Sequence, residues 1–134
     1  MTATTDFNKT VIEEFRANAG KVGGQFANVP MLLLHTVGAK SGEPRINPLA
    51  YVADGDRLVI VASFAGAPTN PPWYYNLVAN SEVGVEVGSE EFRAIATVAE
   101  EPERASLYEK VAAALPPFAE YQKKTTRVIP VITL

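Results

Sequence analysis

Lys40, Ser41 and Arg45 place an ammonium, a hydroxyl and a guanidinium in the short stretch Gly38-Ala39-Lys40-Ser41-Gly42-Glu43-Pro44-Arg45. With the backbone N–H groups of a glycine-bearing turn, these groups suit a phosphate or a carboxylate. The order GxxxxGK[ST] of a P-loop is missing, and the same residues also read as a solvated turn. Ser63 to Gly66 is a run of mostly small residues at a strand end, open either to a ligand approaching backbone or to a plain loop. Trp73 and Asn76 could stack on and hydrogen-bond a planar ring, although Trp73 with Leu77 at i, i+4 fits core packing better. Tyr121, beside Lys123 and Lys124, fits a pocket or an exposed position. His35 is the only histidine and reads as a packing residue, because no second imidazole exists to share a metal. No HExxH, no GxSxG and no carboxylate pair at helical spacing is present, so a hydrolase has no residues to stand on. An enzyme without reactive residues of its own must take its chemistry from a cofactor.

The elements that would position these residues follow from spacing. Phe7, Val11, Phe15 and Ala19 recur every four residues, predicting an amphipathic helix capped by Thr5 or Asp6 and stopped at Gly20. Gly23-Gly24 makes a corner, and the apolar run Met31 to Val37 reads as a strand buried on both faces. The cationic turn leads into a second strand, Arg45 to Ala53, with Arg45, Asn47, Leu49 and Tyr51 on one face. Pro48 marks that strand as an edge or a bulge. Asp54-Gly55-Asp56 turns into Arg57 to Ser63, which would complete a three-strand meander. Asn70 can cap a helix whose first turn holds Pro71 or Pro72 and which runs to about Asn80. Glu82 to Val87 and Glu91 to Val98 form a hairpin around Gly88-Ser89. Pro102 to Ala114 is a helix with a stripe of Ala105, Tyr108, Val111, Ala112 and Leu115. Pro116-Pro117 ends it, a short helix puts Phe118 and Tyr121 together, and Arg127 to Leu134 closes the chain as a strand that Pro130 marks as edge or bulged.

Composition sets the bounds. At 134 residues the chain is one domain, residues 1–134, with an N-terminal helix over 1–20. The hydrophobic share of 47% and charged share of 20% are those of a globular protein. A net charge of -3 argues against a nucleic-acid binder that neutralises phosphates. With no cysteine there are no disulfides, thiolate metal sites or thiol nucleophiles, and a reducing, cytoplasmic setting is the default expectation. No apolar run approaches the roughly 18 residues of a spanning helix, which leaves open a peripheral membrane contact. Six strands with mostly short connections imply a β-rich α+β fold, a largely antiparallel sheet closed or half-closed with helices outside.

Several blocks taken together resemble the deazaflavin-dependent nitroreductase family. They are Leu34-His35-Thr36-Val37-Gly38-Ala39-Lys40-Ser41-Gly42-Glu43-Pro44-Arg45-Ile46-Asn47-Pro48-Leu49, Asp54-Gly55-Asp56, Ala62-Ser63, Pro72-Trp73-Tyr74-Tyr75-Asn76-Leu77-Val78-Ala79-Asn80 and Arg127-Val128-Ile129-Pro130-Val131. The likeness spans nearly the whole chain. It implies a split β-barrel related to flavin-nucleotide-binding pyridoxamine oxidases and flavin reductases, and the reduced deazaflavin coenzyme F-420 as cofactor. Lys40, Ser41 and Arg45 would then hold the coenzyme's phosphate and oligoglutamate tail. Pro48, Leu49, Ala50, Ala62, Ser63 and Phe64 would line the deazaflavin ring, while Trp73 and Asn76 close the pocket. Leu115, Phe118 and Tyr121 would face the acceptor, with Tyr121 as the catalytic proton donor.

By the same resemblance, a hydride passes from the reduced coenzyme to a quinone or to a nitroaromatic or nitroimidazole acceptor. The nitroimidazole-activating member of the family carries a lysine in the place of Phe64, an aromatic in that of Ala50, and tyrosines in those of Leu115 and Phe118. Two other readings use the same fold: an FMN-dependent oxidoreductase, and a non-catalytic coenzyme-binding protein. The sequence admits either a monomer or a homodimer, and implies no metal.

Overall fold

The computed structural model describes residues 6–18, 20–21, 29–63, 66–67 and 69–134. In chain order the elements are α1 (Asp6–Ala17), β1 (Met31–Val37), β2 (Pro44–Ala50), β3 (Val52–Asp54), β4 (Arg57–Val61), α2 (Pro72–Ala79), β5 (Glu82–Val87), β6 (Glu90–Ile95), β7 (Thr97–Val98), α3 (Glu103–Ala114), α4 (Pro117–Lys123) and β8 (Val131–Thr133). They form a mixed α+β fold of two four-stranded antiparallel sheets and four helices. One sheet has the order β2-β1-β5-β6, the other β3-β4-β8-β7.

The expected single second strand is two strands in different sheets. Period-2 alternation carries through 44–54, but the pairing with β1 ends at Tyr51, whose N–H donates to the Pro30 carbonyl (3.1 Å), the last position of that ladder before the chain passes to the other sheet. β2 therefore pairs β1 from Met31↔Ala50 to Val37↔Pro44, and β3 pairs β4 from Val52↔Val59 to Asp54↔Arg57. The three-strand meander is thus divided between the two sheets. A second one-residue break at Ala96 divides the predicted strand to Val98 into β6 and β7, again one in each sheet. The predicted closing strand is shorter than expected, and β8 lies inside its sheet because Pro130 precedes it. Pro48 does lie on an edge strand.

Leu32, Leu34, Ile60, Leu77, Val83, Val85 and Ile132 are fully buried in a core drawn from both sheets. Each such side chain contributes about 1.5–3 kcal/mol relative to exposure. Alternation along β1 sends Leu33 and Met31 the other way, where they meet Val11, Ile12 and Phe15 of α1. Gly20 stops that helix in the left-handed region (φ 93°), its N–H bonding the Phe15 carbonyl at 2.8 Å. The Thr5 cap, the Phe7 and Ala19 side chains and the Gly23-Gly24 corner fall outside the described residues. On α3 the buried face is Leu107, Tyr108 and Val111, while Ala105 is exposed. Tyr108 and Val111 of the expected stripe are buried and Ala112 and Leu115 pack partly buried on the same core, while Ala105 gives way to Leu107 because a methyl group gains little from burial.

Candidate functional site

The cationic turn is built by its own backbone. The Gly42 N–H reaches the Gly38 carbonyl at 2.9 Å and the Gly38 N–H reaches that of Glu43 at 2.8 Å. Ser41 Oγ accepts from the Glu43 N–H (3.2 Å) and from Arg45 Nη2 (3.3 Å). Arg45 also approaches Glu43 Oε2 at 3.5 Å, and its side chain is 17% exposed. Lys40 is exposed and has no ion-pair partner among the described residues. The turn thus carries two cations against one carboxylate.

α2 fastens this turn. Asn76, buried, accepts the Ala39 N–H on Oδ1 at 2.9 Å and donates from Nδ2 to Thr36 Oγ1 at 3.2 Å. An unmatched pair of this kind would leave a buried donor and acceptor unsatisfied, so Asn76 sets where the turn stands relative to the helix. Trp73 is 6% exposed and belongs to the central core with Leu32, Leu34, Ile60 and Ala62. Its ring packs there, as its spacing with Leu77 suggested. Asn70 does not cap α2: Pro71 occupies that position without a side-chain cap, and the Asn70 amide oxygen serves Arg127 instead.

Pro48, Leu49 and Ala50 lie on β2, half-buried, with Leu49 packed on the central core and Ala50 on the α1 side. Ala62 and Ser63 continue past β4, both buried. Extending the β3–β4 register beyond Val52↔Val59 would set residue 48 across from residue 63, but at Tyr51 the chain has already left for the other sheet. Two groups expected to share a ring site therefore stand where the sheets part. Phe64 lies outside the described residues.

The loop after Ser63 meets the far end of the site. Gly66 has φ 80°, and a Cβ there would stand 2.9 Å from the Tyr121 carbonyl oxygen and 2.9 Å from Lys124 Cβ. Only glycine tolerates both the conformation and that approach. Leu115, Phe118 and Tyr121 pack, half-buried, on the second core with Val59 and Val61. The Phe118 and Tyr121 rings meet edge to face at 5.3 Å, and Lys124 Nζ lies 5.9 Å from the Tyr121 ring centre. Buried Tyr108 donates its hydroxyl to the Phe118 carbonyl and fixes α4 on α3; burial first of all pushes that phenol's pKa up.

Arg127 was legible only as part of a resembling block, with no role attached. It donates to the carbonyls of Ala62 (3.1 Å), Ser63 (2.8 Å) and Ala67 (2.9 and 3.2 Å) and to Asn70 Oδ1. The signal that could have found it is Pro130, which cannot give an N–H to the ladder position opposite Ala62.

A separate cluster lies on the α1 face of the first sheet. Arg16 grips Glu86 through Nε (3.2 Å) and Nη2 (2.7 Å), and His35 Nε2 bonds the same carboxylate. A cavity of about 300 Å³ beside it is lined by His35, Gly84, Glu91, Phe92 and Arg93. Ligand atoms of His35, Glu86 and Glu91 lie within 4.8 Å of one another, but a cation there would have to displace the Arg16 guanidinium. Among the described residues no helix is long and apolar enough to cross a membrane.

Comparison with known proteins adds lineage to this geometry. Residues 7–134 match the family model described as F420H(2)-dependent quinone reductase. An F420H(2)-dependent quinone reductase of Mycobacterium tuberculosis is 40% identical over 124 residues, 90% of this chain and 83% of that one. Among solved structures, an F420-H2 dependent reductase is 41% identical with a TM-score of 0.71, covering 78% of this chain and 92% of its own. A second solved structure, described only as a domain-swapped dimer, is 37% identical with a TM-score of 0.73, covering 93% of this chain and 92% of its own. An FAD-binding protein of Mesorhizobium loti, 14% identical at a TM-score of 0.56 over 94% of this chain and 85% of its own, shares the fold alone.

Proposed function

The chain belongs to the F420H(2)-dependent quinone reductase family, and from that premise we propose that it binds coenzyme F-420 and reduces a quinone with it. The observation that carries the reading is the turn of Lys40, Ser41 and Arg45, fixed on α2 by Asn76, with more positive than negative charge. Such a turn fits a ligand bearing a phosphate and several carboxylates. The ring then takes the place where the sheets part, between Pro48, Leu49 and Ala50 on one side and Ala62 and Ser63 on the other; Phe64 is assigned to its lining by the resemblance alone. Trp73 backs this place from the core, and Asn76 holds the turn in reach.

When bound, the reduced coenzyme supplies the hydride. The protein's part is to orient two rings and to keep water out. Leu115 and Phe118 offer an apolar wall to a flat acceptor. Charge arriving on the acceptor's oxygen needs a donor, and the Tyr121 hydroxyl is the one we assign. Tyr121→Phe keeps the ring and deletes the hydroxyl: turnover should fall roughly 100-fold with coenzyme affinity nearly intact. Full turnover in that variant would leave Tyr121 as packing.

Two finer readings go with this. The breaks at Tyr51 and Ala96, each passing one strand from sheet to sheet, support a split β-barrel formed by one domain. The domain-swapped neighbour supports a homodimer, to be checked by light scattering at micromolar concentration. The central test titrates the purified chain with F-420 and with FMN, then follows oxidation of the reduced coenzyme with quinone and with nitroaromatic acceptors. Binding of F-420 in preference to FMN and quinone-dependent oxidation are expected. Tighter FMN binding, or no turnover with any quinone, would overturn the proposal.

A further inference from the structure

Arg127 combines two observations that a structural strut does not require. Its five N–H groups make five hydrogen bonds, every acceptor is a neutral oxygen, and no carboxylate pairs with it among the described residues. The second observation concerns Ser63. That residue is 6% exposed, yet its backbone N–H has no partner among the described residues. Amides of buried residues are almost always paired, with protein, with water or with a ligand, so a ligand atom can supply the missing acceptor.

One peptide plane connects the two. Ala62 donates its N–H to the Pro130 carbonyl at 3.0 Å, but proline has no N–H to return to the Ala62 carbonyl, which Arg127 Nη1 takes at 3.1 Å. In a trans peptide the C=O and the following N–H point oppositely. With the Ala62 carbonyl fixed on the guanidinium, the Ser63 N–H is turned away from it. The adjoining carbonyls of Ser63 and Ala67 are drawn to the same guanidinium, so these acceptors gather on one side. A positive charge without a countercharge behind that peptide also strengthens the amide as a donor in a partly buried setting.

We propose that Arg127 is a positioning residue, which presents the Ser63 amide to a ring oxygen or nitrogen of the coenzyme. This rests on the coenzyme reading above and adds to it the group that shapes the ring site from behind. Lysine cannot replace arginine here, because one ammonium cannot span four acceptors in the geometry of a planar fork.

The test uses the intact chain. Wild-type protein is first titrated with the oxidised coenzyme; absence of binding would overturn the coenzyme reading and this inference together. Where it binds, amide hydrogen exchange at Ser63, read by NMR, should slow at least about tenfold once the N–H is bonded. Unchanged exchange would overturn the inference and leave the coenzyme reading standing. In Arg127→Lys the coenzyme KM should rise roughly 10- to 100-fold, with the quinone KM unchanged and the protein folded at assay temperature. A folded Arg127→Lys protein with wild-type coenzyme KM overturns the inference. Asn70→Ala, which removes one acceptor and no charge, covers the case of a variant that fails to fold. It should raise the coenzyme KM by roughly threefold, and no rise would count against the proposal.

Discussion

Two parts of this molecule use arginine and lysine in opposite ways. At the β3–β4 hairpin, Asp54 receives Arg57 at 2.6 Å and Lys110 at 2.9 Å, and Arg57 also reaches Glu103 at 3.2 Å. Every cation there ends on a carboxylate. At the β1–β2 turn and the loop after β4, Arg45 leans on a hydroxyl and a carbonyl with one carboxylate at 3.5 Å, and Arg127 touches only neutral oxygens among the described residues. The first arrangement is self-neutralising and tacks α3 to the hairpin, in a place where exposed pairs stabilise weakly. The second leaves the Arg127 charge beside Ala62 and Ser63, and the Arg45 charge at the turn end of β2, without full cancellation. The same residue types thus serve the fold where charge is cancelled, and are free to serve an anionic ligand where it is not.

The sharpest way to break that comparison is to delete one arginine from each part. Arg45→Ala should weaken coenzyme binding by roughly 10- to 150-fold, since charge-assisted hydrogen bonds contribute about 1.5–3 kcal/mol. Its melting temperature should barely move. Arg57→Ala should lower the melting temperature slightly and leave coenzyme affinity unchanged in the same titration. Equal losses of affinity in both variants would erase the distinction. Next in size comes Asn76→Ala, which strands the Ala39 N–H and the Thr36 hydroxyl. Urea unfolding should show a loss of about 1–3 kcal/mol, and a smaller loss would mean that the turn stands without α2.

The unequal legibility of these parts has physical causes. Period and turn chemistry found α1, β1, the Asp54-Gly55-Asp56 hairpin, the helix from Pro72 and the β5–β6 hairpin, because each is decided locally. The division into two sheets was not legible, because Tyr51 and Ala96 each break a ladder without a proline or glycine to announce it. The turn of Lys40, Ser41 and Arg45 was legible as cationic, but the grip of Asn76 on it joins residues 37 apart in sequence. Arg127 was harder still. Its partners lie up to 65 positions away and are carbonyls, which every residue has and no pattern marks.

The smallest effect sharpens the comparison from the neutralised side. The Arg16 guanidinium above all, with His35 in support and burial in opposition, holds the Glu86 carboxyl below the usual carboxylate range. At Asp54, Lys110 and then Arg57 do the same. A carboxyl whose pKa is depressed in the folded state stabilises above its unfolded value, about 4.3 for glutamate, and that contribution fades as pH falls through the folded value. Glu86→Gln keeps the shape and removes the charge. It should cost up to about 1 kcal/mol at pH 7, and the gap to wild type should narrow as pH falls from about 4.3, where the unfolded chain takes up the proton, and close through the lower folded-state value. Asp54 is untouched in that variant, so an acid limb should remain. Coenzyme affinity should match wild type at neutral pH, because the cluster faces α1, on the side of the first sheet opposite that of Arg45 and Leu49. Thermal melts of both proteins between pH 3 and 7 decide the first point: a gap that widens on acidification would show that the carboxylate is strained, and that charge on this face is not cancelled after all.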